Sequence, residues 1–261
     1  MEIIVFALVG VFAGLSAGFF GVGGGLITVP AMIFLLPHFV GIEADIFHIA
    51  IATSLAAIIP TALMSSYVHH KKGAILWSVI WKLAPGIFIG SVIGVLVALV
   101  LSQHVLKMIF GIFLLIVALR MLKNSSSHAQ KNVLTPLLNP VMGLVIGAVS
   151  SLMGVGGGTM TVPYLMYKGV RIHNAIACSA ALGLPIAIAA TISFYLIEMF
   201  ADSEANGYIH WPALVGISLA SVIFAPIAAK IVHYLPVKLL KKIFSLFLVI
   251  VALNVIFVAL K

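Results

Sequence analysis

Two glycine pentads, Gly21-Val22-Gly23-Gly24-Gly25 and Gly154-Val155-Gly156-Gly157-Gly158, are the stretches of this sequence whose residue types and spacing could do chemistry. Each lies in a long apolar run, and each is followed five residues after its last glycine by a proline, Pro30 and Pro163. Glycine costs about 1 kcal/mol relative to alanine at a helical position, so a helix breaks at such a pentad. In hydrocarbon the freed N–H and C=O groups persist only where protein buries them or a polar cavity receives them. A half-helix restarting at Leu26 and at Thr159 turns its unpaired N–H groups and positive dipole end toward the glycines. Helix N-termini hold anions without a cationic side chain. The chemistry expected is recognition of a small oxyanion by the backbone of Gly23, Gly24, Gly25 and Leu26 in one copy and of Gly156, Gly157, Gly158 and Thr159 in the other. The hydroxyls of Thr28, Thr53, Ser54, Thr161 and Ser179 would assist.

Other chemistry finds little support. There is no HExxH, no GxSxG, and no His, Cys, Asp and Glu cluster at metal-ligand spacing, so no enzyme, metal or cofactor is expected. GVGGG also lacks the G-x-G-x-x-G spacing of a dinucleotide site. His48 and His173 begin matching segments, where they could gate in response to pH or, more blandly, cap an interface. No carboxylate lies mid-span, so coupling through a buried Asp or Glu is not expected. Gly10, Gly14, Gly18 and Gly86, Gly90, Gly94 recur every fourth residue as small-residue packing rows, which leave room for a helix-packed homodimer. Pro30, Pro60, Pro163 and Pro185 read as kinks.

The elements that must position the pentads are membrane helices. The 261 residues are 63% hydrophobic and 8% charged, with a mean hydropathy of +1.29, which excludes an ordinary soluble domain. Apolar runs of the roughly 20 residues needed to span hydrocarbon recur throughout. A lone cysteine, Cys178, excludes an internal disulfide. The start, Met1-Glu2-Ile3-Ile4, lacks the basic region of a secretory signal and reads as part of the first segment. The net charge of +8 reads as loop bias that sets orientation in the bilayer, with no nucleic-acid partner.

The chain reads as two copies of one unit. Beyond the pentads, His48-Ile49-Ala50-Ile51-Ala52-Thr53-Ser54 aligns with His173-Asn174-Ala175-Ile176-Ala177-Cys178-Ser179, Pro60 falls on Pro185, and Gly73 and Trp77 fall on Gly207 and Trp211. Repeat one occupies 1–123, with a hairpin over about 3–37 and spans over about 47–68, 75–101 and 105–122. A polar linker covers 124–139. Repeat two occupies 140–261, with a hairpin over about 140–167 and spans over about 173–197, 211–234 and 239–260. Around the second pentad the arms would reach about 21 and 14 Å, against a hydrocarbon core of about 30 Å. A re-entrant hairpin is therefore expected. A hairpin plus three spans is an odd number of crossings and inverts the second half.

Charge placement agrees with that topology. One face collects most lysines and arginines, among them Lys71, Lys72, Arg120, Lys168, Arg171 and Lys230. The other collects all six acids, Glu2, Glu43, Asp45, Glu198, Asp202 and Glu204, with only Lys107 and Lys261. The positive-inside rule makes the first face cytoplasmic and puts both termini outside.

On the segments Gly21 to Pro30, Gly154 to Pro163, His48 to Ser54 and His173 to Ser179, the sequence resembles the TauE/SafE family of sulfite exporters over essentially its whole length. The resemblance implies a multi-pass carrier of the bacterial inner membrane for small sulfur-containing anions such as sulfite, sulfonates and sulfoacetate. Cys178 departs from Thr53 of the first half. The combined expectation is an all-α membrane transporter of two inverted repeats, in which the anion sits between two hairpin tips, moves by alternating access, and is exported. An anion channel, or a carrier of another small anion such as a carboxylate, is the alternative.

Overall fold

The computed structural model describes residues 1–21, 23–40, 45–122, 138–200, 207–231 and 237–260. Regular structure among them is entirely helical. It comprises α1 (Glu2–Phe20), α2 (Gly25–Leu35), α3 (Ile46–Lys71), α4 (Trp77–Val100), α5 (Gln103–Leu122), α6 (Leu138–Leu152), α7 (Gly158–Tyr167), α8 (Ile172–Phe200), α9 (Trp211–Ile231) and α10 (Val237–Leu260). Six helices, α1, α3, α4, α5, α8 and α9, are long and apolar enough to cross a membrane. The expected linker 124–139 lies outside the described residues up to Leu138, where α6 starts, and so do Glu43, Asp202, Glu204 and Lys261.

Both pentads interrupt helix, between α1 and α2 and between α6 and α7. The arms preceding them differ. Fifteen residues of α6 make about 22 Å, short of the hydrocarbon thickness, whereas the 19 residues of α1 make about 28 Å. The arm-length argument drawn from the second pentad therefore does not extend to the first.

Packing exchanges elements between the halves. α1 lies along α9, α6 along α4, α3 against α8, and α5 against α10. The glycine rows make this possible. A Cβ on Gly10 would stand 2.8 Å from the Ile217 Cα, and one on Gly14 the same distance from the Ser221 Cα. One on Gly86 or Gly90 would collide with the Pro140 or Leu144 carbonyl of α6. Backbones this close gain dispersion contacts that larger side chains would prevent. Both rows are thus used up inside the chain, and a homodimer packed on them, which the sequence left open, would have no free surface there.

The described acids gather at one end. Glu2 meets His210 Nε2 at 3.0 Å, Asp45 accepts from Gln103, and Glu198 accepts from the Tyr208 N–H at 3.0 Å. At the other end of α3, Lys71 lies 4.7 Å from the centre of the Tyr67 ring and Lys72 reaches the Ala229 carbonyl at 3.4 Å. The 26 residues of α3 separate the two sets by about 39 Å.

Candidate functional site

The two interruptions meet in the interior. A Cβ on Gly23 would lie 3.0 Å from the Gly156 Cα, and one on Gly25 would lie 2.8 Å from the Val155 Cα and overlap the Gly154 carbonyl. Backbone touches backbone, which only glycine allows. Each half-helix starts from a left-handed glycine, Gly24 at φ 84° and Gly157 at φ 80°. That conformation costs a residue with a Cβ about 1–2 kcal/mol. It aims the chain so that Gly24 O receives the Thr28 N–H at 3.1 Å and Gly157 O the Thr161 N–H at 2.9 Å. The same two carbonyls receive the Ile27 N–H at 2.9 Å and the Met160 N–H at 3.1 Å, and the N–H groups ahead of those have no acceptor within their own helix.

Serine hydroxyls brace the tips reciprocally. Ser54 Oγ on α3 donates to Gly154 O at 2.9 Å, and Ser179 Oγ on α8 donates to Gly21 O at 2.9 Å. Both serines are fully buried. Each ties the interruption in the opposite half, so the two sites are one structure. Thr53 accepts the His210 N–H at 2.9 Å, and at the matching place Cys178 Sγ accepts the Leu76 N–H at 3.3 Å. Ser54, Thr53 and Ser179 therefore spend hydrogen bonds on protein, a use that sequence reasoning did not assign them.

The helix starts are not equally satisfied. In the first half Thr28 Oγ1 donates back to Gly24 O at 3.2 Å. In the second, Thr161 Oγ1 and Ser150 Oγ each stand 3.6 Å from where a Cβ on Gly157 would lie. Among the described residues these two hydroxyls make no hydrogen bond, nor does that of Thr159, although Ser150 and Thr161 are 1% and 0% exposed. A buried hydroxyl without a partner costs about 1–3 kcal/mol. Thr159 and Thr161 on the first turn of α7, with Ser150 of α6 beside Gly157, are hydroxyls chemically able to donate to an acceptor-rich group. Ser150 was missed in the sequence. The available signal was its register four residues before Gly154, where the first half has Ala17 ahead of Gly21.

Beside the tips lies a cavity of about 10 Å³, lined by Ala17, Gly21 and Gly23, by Thr61 and Ser65 of α3, and by Gly156, Ala180 and Gly183. The repeat register replaces Thr61, Ser65 and Gly183 with Ile186, Ala190 and Ile58 across the pseudo-symmetric position. Ile58 itself packs 3.3 Å from where a Cβ on Gly23 would be.

The two matched histidines stand apart from the tips. His48 is buried, with Nε2 2.9 Å from the Ala98 carbonyl and Nδ1 3.9 Å from Asp45, whereas His173 is exposed. Nearby, burial pulls the His210 imidazole below its usual value, more than Glu2 raises it. Burial, then Asp45 and Glu198, pushes the Tyr208 phenol up.

A protein-family model, that of the sulfite exporter TauE/SafE, matches residues 6–255. A probable membrane transporter protein of Haemophilus influenzae is 36% identical over 97% of this chain and 97% of its own length. One of Methanocaldococcus jannaschii is 30% identical over 84% of this chain and 80% of its own. Another, of Bacillus subtilis, is 26% identical over 64% and 68%. No solved structure matches the chain.

Proposed function

The chain belongs to the TauE/SafE sulfite exporter family, and we propose that it carries a small sulfur-containing anion of the sulfite, sulfonate or sulfoacetate type between its two glycine tips. The observation that carries this reading is the trio of unspent hydroxyls, Thr159 and Thr161 at the start of α7 and Ser150 of α6 beside it. The first-turn N–H groups of that helix supply further donors and a positive dipole end. A sulfur oxyanion has several charged acceptor oxygens on one small centre and satisfies such a set. Gly157, Gly158, Thr159 and Thr161 hold it from one side, and Gly23 to Leu26 from the other.

Transport proceeds by alternating access between inverted repeats, with re-entrant hairpins inserted from opposite faces. The reciprocal pairs Ser54 to Gly154 and Ser179 to Gly21 support a two-fold relation of the halves. The acidic end faces outward, the basic end faces the cytoplasm, and the working direction is export from the bacterial cytoplasm across the inner membrane. Tips in backbone contact leave no open path, which favours a carrier over a channel.

Purified protein titrated with sulfite, sulfate, thiosulfate, sulfoacetate and acetate tests the substrate class. A rise in melting temperature with a sulfur anion, and counterflow of that anion in proteoliposomes, is the expected result. Stabilisation by acetate alone would remove the sulfur assignment, and currents without counterflow would make the protein a channel.

A further inference from the structure

We infer that the cavity beside the tips is a binding site for a small alkali cation, sodium-sized, that travels with the anion. The inference rests on the transporter reading above and adds the coupling ion to it. The cavity holds about 10 Å³, room for one water-sized particle and too little for a multi-atom oxyanion. Its wall is made mostly of glycine and alanine, carries the hydroxyls of Thr61 and Ser65, and has no ionisable side chain among the described residues. Hard cations take oxygen ligands, and a site with no Asp, Glu or His has no group to hold a proton.

Two features give the wall its sign. α1 ends there, at Gly21, and the last carbonyls of a helix carry its negative dipole end; that of Gly21 accepts from Ser179 Oγ and keeps a second lone pair. Gly156 turns its carbonyl oxygen to within 3.1 Å of where a Cβ on Gly183 would lie. The remaining oxygens come from α3. Thr61, which lines the cavity, has Oγ1 2.8 Å from Ala57 O, to which it donates, and 2.6 Å from Ser221 Oγ, and with its proton on Ala57 O its oxygen is left as an acceptor. Ser65, four residues on, is 2% exposed, and among the described residues its Oγ makes no hydrogen bond. Several buried helical hydroxyls bond back four residues, as Ser91 does to Ile87 and Ser193 to Ala189. Ser65 does not. Its hydroxyl is held for something else, and both of its lone pairs are available to a cation.

The position explains why the pair would move together. A lone charge at mid-membrane is expensive, and neither half places a carboxylate there. Gly23 and Gly156 belong to both the cavity wall and the tips, so a cation in the cavity lies next to the anion and offsets its charge. Each ion then raises the affinity of the other by the same factor. Because Ile186 and Ala190 stand where Thr61 and Ser65 would recur, one cation binds rather than two.

Thermal shift of purified full-length protein in sodium, potassium or choline chloride at equal ionic strength tests this. A saturable rise with sodium alone is expected. Ser65→Ala and Thr61→Val should each weaken the sodium half-saturation about tenfold or more, as loss of a ligand to a charged group does, with Ser65→Thr restoring it. Should Ser65→Ala fail to fold, sodium dependence of anion uptake by Thr61→Val supplies the measurement. Equal melting temperatures in all three salts would overturn the cation site, as would wild-type sodium dependence in the variants. Sulfite stabilisation measured in choline reports separately on the anion reading. Its persistence without a sodium effect sinks the cation alone, and a sodium effect without sulfite binding leaves the cation site and removes the sulfur anion.

Discussion

The two glycine tips share a backbone path and differ in what surrounds it. Both half-helices start from a left-handed glycine, and both interruptions are braced by a serine from the other half. At the first tip, however, Thr28 bonds its own helix start and Ala17 occupies the matching flank, so neither position offers an unspent hydroxyl. At the second, Ser150, Thr159 and Thr161 keep their hydroxyls unspent. The two copies thus share the geometry that opens a helix in hydrocarbon, while their side chains differ, so under the proposed function recognition falls mainly to the second copy. The cavity lining shows the same division, because its Thr61, Ser65 and Gly183 have Ile186, Ala190 and Ile58 at the matching positions of the other half.

The sharpest way to break this comparison is at the helix starts. Gly157→Val puts a β-branched residue at φ 80° with its Cβ 2.5 Å from Ile186 Cδ1, and flux in proteoliposomes should be abolished while membrane insertion survives. Gly24→Val, at φ 84° and 3.0 Å from Ala13 O, should do the same, since both tips share the backbone requirement. Retained flux in either variant would detach transport from the tips. A smaller effect separates the halves. Ser150→Ala with Thr161→Val should weaken anion binding about tenfold or more, read as the midpoint of an anion titration, whereas Thr28→Val should change it little. Equal losses would mean that recognition is shared evenly.

The smallest effect concerns His210, whose matching residue in the first half is Leu76. Its folded imidazole titrates below the usual 6.5. Protonation therefore favours the unfolded chain, so this contribution to stability is complete above about pH 6.5 and is lost as pH falls toward the depressed value. His210→Leu should flatten the fall in melting temperature over that window, and an unchanged slope would assign it elsewhere.

Much of the architecture was legible. Hydropathy and apolar runs announced an all-helical membrane protein, and the pentads marked where helix stops because glycine's cost is local and visible. Ser54 and Ser179 were legible as matched hydroxyls near the tips, but their acceptors were not, since Gly154 and Gly21 lie in the opposite half and become neighbours only in three dimensions. The glycine rows read correctly as packing faces. Their partners, α9 and α6, were hidden because spacing reports that a face is small without saying what fills it. Ser65 gave no signal at all. A serine in a helix usually bonds its own backbone, and only the coordinates distinguish one that does not.

Because α1 rests on α9, about 200 residues farther along, its closest neighbour does not exist when α1 leaves the ribosome. At roughly 5–20 residues per second, the nascent chain waits on the order of 10–40 s before Ile217 and Ser221 arrive to cover Gly10 and Gly14. During that interval the glycine groove of α1 is open to lipid or to an insertion factor, and the broken helix lacks its roof. Biogenesis of this protein therefore finishes from its last third backward, and truncations that end before α9 should be cleared by quality control rather than accumulate as half-carriers.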